Sequence, residues 1–299
     1  MQIKAFQITL VFMLFLASCQ AKPDHKKQEA YQKDTVLVDS IDLALYNSLI
    51  KIAGNCDFQS LSKNNQIIEI GKLFLQTPYL GGTLESKGDE KLVINLHQLD
   101  CTTYLENVLA LSNLSGKSKT SIRDFSNELE HIRYRKGNQN DYTSRLHYFT
   151  DWMFDNERKG LIIDVTKKIG GEPYQKMINF MSSHTSSYPA LVSDTSLIGT
   201  IKQSEKELNN RKHFYIPEDK IQKIENQIKN GDLIAITTKI KGLDVSHTGI
   251  AIHLNERLHL MHASSKAKKV VISDTPLAEM IQKNRLQSGI MVSRVILKQ

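Results

Sequence analysis

The chain is built around the segment LHQLDCTTYLENVLAL, residues 96–111. A polar loop gives way there to a helical pattern, and Cys101 stands at the change. The apolar residues that follow recur at the spacing of a helix with one buried stripe, namely Tyr104, Leu105, Val108, Leu109 and Leu111. The pattern predicts a helix that begins at or near Cys101, where unpaired amides and the helix dipole favour a thiolate over a thiol. Cys101 is therefore a candidate nucleophile, and its backbone amide is a candidate oxyanion donor.

The C-terminal third supplies a candidate base. The segment SHTGIAIH, residues 246–253, alternates in polarity and predicts a strand with His247 near its start. A polar turn separates it from LHLMHA, residues 258–263, so the two segments predict a hairpin. Because side chains alternate along a strand, His262 can reach the ring of His247, whereas His259 points to the opposite face. A thiol, an imidazole and a group that orients the imidazole are what thiol-dependent acyl transfer requires.

The composition is typical of a soluble globular protein. The chain has 299 residues, of which 40% are hydrophobic and 24% charged. Its formal charge of +7 is dispersed, and the basic runs at residues 133–136 and 266–269 are short. Nucleic-acid binding would need a denser basic stripe, so we expect no nucleic-acid partner. Weak attraction to anionic wall polymer or lipid headgroups stays open.

The N-terminus has the pattern of an export signal. Lys4 precedes a nearly unbroken apolar run at residues 8–16, and small residues then lead to Cys19. The end of the run resembles the lipobox of bacterial lipoproteins, which implies a signal peptide at 1–18 and a lipid on Cys19. Residues 19–40 are then a tether, and 41–299 a single catalytic domain. The expected location is the membrane, by way of this anchor, at the outer membrane and facing the periplasm; the alternatives are an ordinary signal peptide and a buried first helix.

The number of cysteines leaves one alternative to a nucleophilic role for Cys101, which is a disulfide. If Cys19 carries a lipid, only Cys56 and Cys101 remain, and an exported protein could join them in a disulfide. A lone bridge is dispensable in a chain of this length, so we favour a free thiol at Cys101.

The order of elements predicts an α+β domain, with helices first and mostly antiparallel strands in the C-terminal third. Strand patterns cover 91–96, 161–166, 232–237, 247–263, 269–272 and 290–296. Helical patterns cover 41–52, 64–76, 122–132, 174–181, 199–209, 221–228 and 276–283.

Two further segments hold candidate substrate contacts. The loop TPYLGGTLE, residues 77–85, leads towards Cys101, so Tyr79 lies either near the thiol or packed on the glycines of its own loop. The segment SRLHYFTDWMFDN, residues 144–156, combines aromatic rings with polar groups, as sugar sites do. Tyr148 and Trp152 are candidates there, and the alternative is an amphipathic helix whose aromatic residues fill a core.

Four motifs in order resemble the NlpC-type cell-wall peptidases, a papain-like superfamily. They are Asp100-Cys101-Thr102, Asn230-Gly231-Asp232-Leu233, HTGIAI at 247–252 and Met261-His262-Ala263. Tyr79 in PYLGG is similar to the upstream tyrosine loop of that superfamily, and the resemblance covers residues 65–111 and 228–265. It implies N-terminal helices, with the nucleophile at a helix N-terminus, packed on an antiparallel half-barrel sheet. It also implies a mostly helical insertion at about 115–215.

Further motifs resemble one branch, the AmiA-type N-acetylmuramoyl-L-alanine amidases. They are TPY at 77–79, LDCTTYLE at 99–106, SRLHYFTDW at 144–152 and GLIIDVT at 160–166. The resemblance implies cleavage of peptidoglycan fragments, including soluble anhydro-muropeptides, between N-acetylmuramic acid and L-alanine, without cofactor or metal. The implied catalytic residues are Cys101, His247 and His262, and the implied substrate contacts are Tyr79, Asp100, Thr102, Tyr148 and Trp152. Thr102-Thr103 replaces the Ser-Gly that usually follows the cysteine.

Three other functions compete with this hypothesis. One is an NlpC-type peptidase that cuts within the stem peptide, and another is a wall-binding lipoprotein without catalysis. The third is a zinc amidase that uses His247, His253, His259 and His262, although the chain lacks the HExxH signature.

Overall fold

The computed structural model describes residues 36–85, 88–117 and 120–296, with the backbone alone at residues 56 and 57. These residues belong to one compact unit. The predicted signal peptide, Cys19 and residues 19–35 of the predicted tether lie outside the described residues. Within the described part, no helix combines the length and the apolar character needed to cross a bilayer.

Helices dominate the first two thirds of the described chain. The α-helices are α1 Ser40–Ala53, α2 Cys56–Gln59, α3 Lys63–Leu73, α4 Cys101–Leu114, α5 Ile122–Arg133, α6 Phe149–Arg158, α7 Phe180–Ser183, α8 Pro189–Ser193, α9 Leu197–Asn209, α10 Ile221–Ile224 and α11 Leu277–Gln282. Short 3-10 turns occupy Arg135–Gly137, Tyr142–Ser144, Thr185–Ser187 and Glu225–Gln227.

The strands form one antiparallel sheet and a two-stranded parallel pair. They are β1 Val36–Leu37, β2 Leu92–Val93, β3 Ile162–Asp164, β4 Glu172–Pro173, β5 Phe214–Pro217, β6 Leu233–Thr238, β7 Val245–Leu254, β8 Arg257–Ser264, β9 Lys269–Ile272 and β10 Gln287–Val295. The eight-stranded sheet has the order β4-β5-β10-β6-β7-β8-β9, and β3 pairs with β10. The predicted α+β class is confirmed, as is the hairpin of β7 and β8.

Helix α4 is the central element of the larger core. It packs on β7 and β8 of the sheet and against α1, α3 and α5. Every residue from Thr103 to Leu114 is buried, so the predicted single stripe is too narrow. Burial on all sides stabilises the helix strongly, because each fully buried Leu or Val contributes about 1.5–3 kcal/mol. It also requires a partner for any charged side chain on α4.

A second core covers the opposite face of the sheet, where Ile234, Ile236, Leu258 and Leu260 pack with residues of α10 and α11. Strand β6 is therefore buried on both faces. Burial of both faces explains why β6 is a continuous run of apolar and small residues. A strand with one solvent-exposed face would instead alternate apolar and polar residues.

Residues between α5 and β5 enclose a small core of their own, which includes Tyr142, Tyr148, Ile178 and Met181. The predicted helix at 174–181 is wrong, because only Phe180 and Met181 of that range are helical. The amide of Ile178 donates to Oδ1 of Asn209, and Nδ2 of Asn209 donates to the carbonyl of Ile178, both at 2.8 Å. The asparagine thus satisfies the backbone groups that a helix would otherwise pair.

Candidate active site

Cys101 is the first residue of α4, and the local sequence explains why the helix begins there. Oδ1 of Asp100 accepts hydrogen bonds from the amides of Thr102 (3.0 Å) and Thr103 (2.8 Å). The hydroxyl of Thr103 accepts a hydrogen bond from the amide of Asp100 at 2.9 Å, which completes a capping box. Asp100 is thus the N-cap, and Thr102 lies beside the thiol, with Oγ1 4.0 Å from Sγ of Cys101.

The pKa of the Cys101 thiol is raised, contrary to the expectation that the helix N-terminus would lower it. Burial raises the pKa of Cys101, and the Asp100 carboxylate raises it further, while hydrogen bonds from Thr248 and Thr102 oppose these effects. Two of the amides that were expected to stabilise a thiolate, those of Thr102 and Thr103, instead donate to Asp100. The same residue that begins the helix therefore disfavours charge on its first side chain.

Strand β7 is attached to the start of α4. The hydroxyl of the buried residue Thr248 donates to the carbonyl of Cys101 at 2.9 Å. His247 is the residue directly before Thr248 on β7, and it pairs with Ile236 of β6. The pairing of β6 with β7 shifts register between Ile236–His247 and Thr237–Val245, which leaves Ser246 as an extra residue directly before His247. Bulges of this kind bend a strand and change the direction of neighbouring side chains.

The structure brings His247 and His262 together. Nε2 of His247 lies 2.5 Å from Nδ1 of His262, and the rings meet edge to face at 86° with centroids 4.8 Å apart. The pairing of β7 with β8 reaches Ile250 and Met261, and Gly249 and His262 are the next residues of the two strands. A side chain at Gly249 would collide with Leu260, at 2.8 Å from Cδ1, so glycine permits the close approach of the two strands.

Both imidazoles are neutral at neutral pH. Burial lowers the pKa of His247 to about 3, with a further contribution from His262, and burial lowers the pKa of His262 to about 4. Two neutral rings can share one proton, with one nitrogen donating and the other accepting. Within residues 36–85, 88–117 and 120–296, no hydrogen bond joins Cys101 to His247, and Nδ1 of His247 has no partner. That nitrogen is thus available to a proton donor.

Tyr79 lies near the thiol and also packs on a glycine of its own loop, so both positions that the sequence left open are observed. The amide of Leu80 donates to the carbonyl of Leu99, which places the loop beside the residues that precede Cys101. Burial raises the pKa of Tyr79, and the nearby Cys101 and Asp100 raise it further. The ring also lies on Gly81, where an added Cβ would be 3.6 Å from the tyrosine hydroxyl.

Tyr148 and Trp152 are buried, which corrects the expectation that they contact a sugar. Trp152 is 1% exposed, stacks on Phe149 at 4.8 Å, and donates from Nε1 to Glu106 at 3.2 Å. The hydroxyl of Tyr148 donates to Glu205 at 2.8 Å. Both side chains therefore belong to the core. Their polar atoms are satisfied by protein groups, and no ring face is open to a ligand.

Glu106 has a structural role in this core. Its carboxylate accepts the Trp152 hydrogen bond and forms an ion pair with Arg133, whose Nε lies 2.7 Å away. Both charged side chains are almost fully buried. Breaking such a pair leaves one uncompensated charge in the interior, which is strongly destabilising.

The structure bears on two alternatives that the sequence left open, a disulfide at Cys101 and a zinc site. Cys101 is a free cysteine, so it is not bridged to Cys56. His253 bonds the carbonyl of Ile228 through Nε2, and His259 bonds the carbonyl of Ser273 through Nδ1. Neither ring is directed at the His247–His262 pair, so the four histidines do not form one ligand set.

One other group of the described residues has metal-ligand chemistry. Asp39, Asp42 and His97 bring ligand atoms within 4.8 Å of one another. Oδ1 of Asp42 already accepts the amide of Leu96 at 2.7 Å and lies 2.8 Å from Nδ1 of His97. These bonds hold the segment before Cys101 against α1, which gives the group a structural explanation.

Thr248 was not predicted from the sequence, although its contact fixes the position of β7 relative to Cys101. Threonine within a strand is ordinary, so only its place directly after the candidate base could have indicated it.

One protein-family model matches most of the chain. The AmiA-like family model, described as N-acetylmuramoyl-L-alanine amidase-like, matches residues 69–290. A crystal structure of an N-acetylmuramoyl-L-alanine amidase from Bacteroides uniformis is 40% identical, with a TM-score of 0.75 over 78% of this chain and 99% of that chain. A structure from Bacteroides fragilis, provisionally named a xylanase, is 40% identical, with a TM-score of 0.72 over 75% and 99% of the two chains.

A protein from Legionella pneumophila is 23% identical, with a TM-score of 0.66 over 86% of this chain and 97% of that chain, which shows a shared fold alone. No curated protein matches the chain.

Proposed function

The chain belongs to the AmiA-like family, and we propose that it hydrolyses the amide bond between the lactyl group of N-acetylmuramic acid and L-alanine in peptidoglycan fragments. The observation that carries the proposal is the arrangement around Cys101. A free thiol starts a buried helix, and the strand attached to that helix start presents a neutral imidazole paired with a second imidazole. This set of groups suits acyl transfer through a thioester.

The proposed reaction begins with two neutral groups. Nδ1 of His247 takes the proton of the Cys101 thiol as the sulfur attacks the lactyl carbonyl carbon. The tetrahedral intermediate collapses when the imidazolium returns that proton to the nitrogen of L-alanine, which leaves as an amine. Water, deprotonated by His247, then hydrolyses the thioester and releases the muramic carboxylate. The reaction thus consumes one water and needs no other reactant.

We assign His262 the role of orienting His247. If His247 carries its proton on Nε2 and donates it to Nδ1 of His262, then Nδ1 of His247 presents a lone pair to the thiol. The low pKa of His262 keeps its ring neutral, so that it can accept this hydrogen bond. Without His262 as the acceptor, His247 could carry its proton on either ring nitrogen, and Nδ1 would not be held as a base.

Two donors suit the developing oxyanion. Among the described residues, no acceptor is bonded to the backbone amide of Cys101, and this amide lies at the positive end of α4. The hydroxyl of Tyr79 is the second donor, since burial keeps it protonated beside Cys101. Oxyanion donors of this kind typically contribute about 2.7–4 kcal/mol to transition-state binding.

We further propose that the core is of the papain-like NlpC type, with a catalytic domain from residue 41 onward and the insertion at about 115–215. Support comes from the nucleophile at a helix N-terminus and the antiparallel sheet that carries His247 and His262. Export, lipidation of Cys19 and attachment to the outer membrane remain proposals supported by the sequence of residues 1–19. Soluble anhydro-muropeptides are the proposed form of the substrate.

The test is mass spectrometry of defined muropeptides after incubation with the wild-type protein, with Cys101→Ser and with the matched control Cys56→Ser. We expect free saccharide and intact stem peptide from the wild type and the control, and neither product from Cys101→Ser. Fragments cut within the stem would identify a stem peptidase instead. Binding of muropeptides without any hydrolysis would identify a wall-binding protein.

A further inference from the structure

The turn between β8 and β9 carries three lysines. Lys266, Lys268 and Lys269 form a basic run for which the proposed function gives no role. Lys266 and Lys268 are exposed, and Lys269 is half-buried. Among the described residues, no carboxylate pairs with these three side chains and no acceptor is hydrogen-bonded to them. The lysine turn, residues 264–269, is therefore a cluster of unpaired positive charge.

Lys269 lies on the same face of the sheet as His262, the candidate partner of the catalytic base. In the antiparallel pair of β8 and β9, His262 is opposite Val271, and Ser264 is opposite Lys269. Directly paired residues point to one face of a sheet, and so do alternate residues of one strand. Two residues of strand rise and one strand spacing then place the Cα atoms of His262 and Lys269 about 8 Å apart.

The lysine turn also lies beside the loop that carries Tyr79. The amide of Tyr79 donates to the carbonyl of Lys268 at 2.9 Å. Tyr79 is in turn bridged to Leu99, which stands two residues before Cys101. Backbone hydrogen bonds thus connect the lysine turn both to the loop beside the thiol and to the strand that carries the second imidazole.

Neither edge protection nor backbone conformation explains these lysines. Lysine often protects an exposed sheet edge, but the outer edge of β9 is already paired with residues 76–79. The amide of Val270 donates to the carbonyl of Thr77 at 2.8 Å, and the amide of Gln76 donates to the carbonyl of Val270 at 2.9 Å. Lys268 has a φ of 61°, in the left-handed region that favours glycine or asparagine. Positive charge is therefore kept at a position where the backbone disfavours lysine.

We propose that the lysine turn binds a carboxylate carried by the peptide part of the substrate. The inference rests on the proposed function, because it assigns a site to the negative charge of that peptide. In a muramoyl peptide the lactyl carboxyl is consumed in the amide bond, so the free carboxylates belong to the stem. A lysine ammonium offers three hydrogen-bond donors and no acceptor, and its hydrogen bonds to a carboxylate are stronger than those between neutral groups.

The distance from the lysine turn to Cys101 suits the start of a stem peptide. Lys268 lies one strand spacing from Tyr79, which lies one strand spacing from Leu99. With the two residues from Leu99 onward, the Cα atoms of Lys268 and Cys101 are at most about 17 Å apart. A lysine side chain extends about 6 Å from its Cα, and two extended residues of a peptide span about 7 Å. The second residue of the stem can therefore place its carboxylate at the lysine turn while the lactyl carbonyl lies at the thiol.

The test compares N-acetylmuramoyl-L-alanyl-D-glutamate with its diamide, in which carboxamides replace both glutamate carboxylates. For the wild type we expect a KM about tenfold lower for the dicarboxylate, because the diamide loses the charge-assisted hydrogen bonds. The double variant Lys268→Gln, Lys269→Gln is expected to have nearly equal KM values for the two compounds. The matched control is Lys283→Gln, which removes an exposed lysine at the end of α11 and is expected to retain the wild-type ratio.

A binding measurement separates this inference from the proposed function. Isothermal titration of Cys101→Ala with both compounds requires no hydrolysis and is expected to give a ratio of Kd values that matches the ratio of KM values. Equal Kd values, or a ratio that survives the loss of both lysines, would overturn the inference while leaving the amidase activity intact. Absence of hydrolysis by the wild type with the Kd ratio preserved would overturn the proposed function instead.

A charge-conserving variant distinguishes carboxylate binding from a structural role of the lysine turn. Lys268→Arg, Lys269→Arg is expected to keep the preference for the dicarboxylate, and the preference should weaken as the ionic strength rises from about 0.05 M to about 0.5 M. Equal loss of the preference in the Gln and Arg variants would overturn the inference. Loss of binding to phosphatidylglycerol vesicles in the Gln variant, with the KM ratio unchanged, would identify a membrane contact and also overturn it.

Discussion

The pKa of Cys101 leads to a prediction about its reactivity as a function of pH. Burial and the Asp100 carboxylate raise the pKa of the thiol, and burial holds the pKa of His247 at about 3. The free protein should therefore hold a neutral thiol beside a neutral imidazole. An ordinary cysteine with a pKa of about 8.5 is roughly 3% thiolate at pH 7, so Cys101 should be less ionised than that.

The assay is inactivation by iodoacetamide, followed as loss of amidase activity in the Cys56→Ser background and mapped by mass spectrometry. Because the thiolate is the nucleophile, the rate constant should rise about tenfold per pH unit from pH 6 to pH 8. Asp100→Asn keeps the N-cap acceptor but removes the charge that raises the pKa. That variant should react faster at pH 7. A rate that is already constant between pH 6 and pH 8 would show a thiolate–imidazolium pair and refute this reasoning.

Three further predictions concern stability and the strand pair. Trp152→Phe should lower the free energy of unfolding by about 1–3 kcal/mol in urea titrations, because the Glu106 carboxylate loses a buried hydrogen-bond donor. A changed KM for the saccharide would contradict the burial of the Trp152 side chain. The pKa of His147 is lowered to about 3 by burial, as in His247, so the unfolded chain binds more protons below pH 6.5. Lowering the pH from 7 to 5.5 should therefore reduce the free energy of unfolding by about 1.2 kcal/mol per buried histidine. His147→Gln should reduce this loss by the same amount, and an unchanged pH dependence of stability would contradict the assignment. Gly249→Ala places a Cβ 2.8 Å from Leu260 Cδ1 and should destabilise by about 1–3 kcal/mol while separating His247 from His262. Its loss of kcat, compared at temperatures where the protein is fully folded, should exceed that of a variant of equal stability elsewhere in the sheet.

Local patterns sufficed for the elements that carry the candidate chemistry. The helix at Cys101 could be predicted because apolar residues repeat at helical spacing directly after a polar loop. The His247–His262 contact followed from strand alternation and a short turn. The burial of Trp152 could not be decided, because an amphipathic helix with aromatic residues has the same sequence pattern whether its rings face a core or a ligand. Only the ion pair of Glu106 with Arg133, 27 residues away, shows which side is buried.

The direction of the thiol pKa shift also could not be predicted from the sequence. A helix N-terminus normally lowers the pKa of a cysteine. The segment DCTT does not show how many of the helix amides donate hydrogen bonds to Asp100 and are therefore unavailable to the thiolate. Properties that depend on burial or on distant segments are set by tertiary packing, which single-sequence patterns do not encode.

Trapping of the acyl-enzyme tests the central role of Cys101 most directly. The wild-type protein is mixed with a muropeptide substrate, quenched in acid within milliseconds to seconds, digested and analysed by mass spectrometry. We predict a thioester in which the lactyl carbonyl of the saccharide is attached to the peptide that contains Cys101, absent from Cys101→Ser. Product formation by the wild type with no adduct at any quench time, or continued product formation by Cys101→Ser at the wild-type rate, would contradict the account.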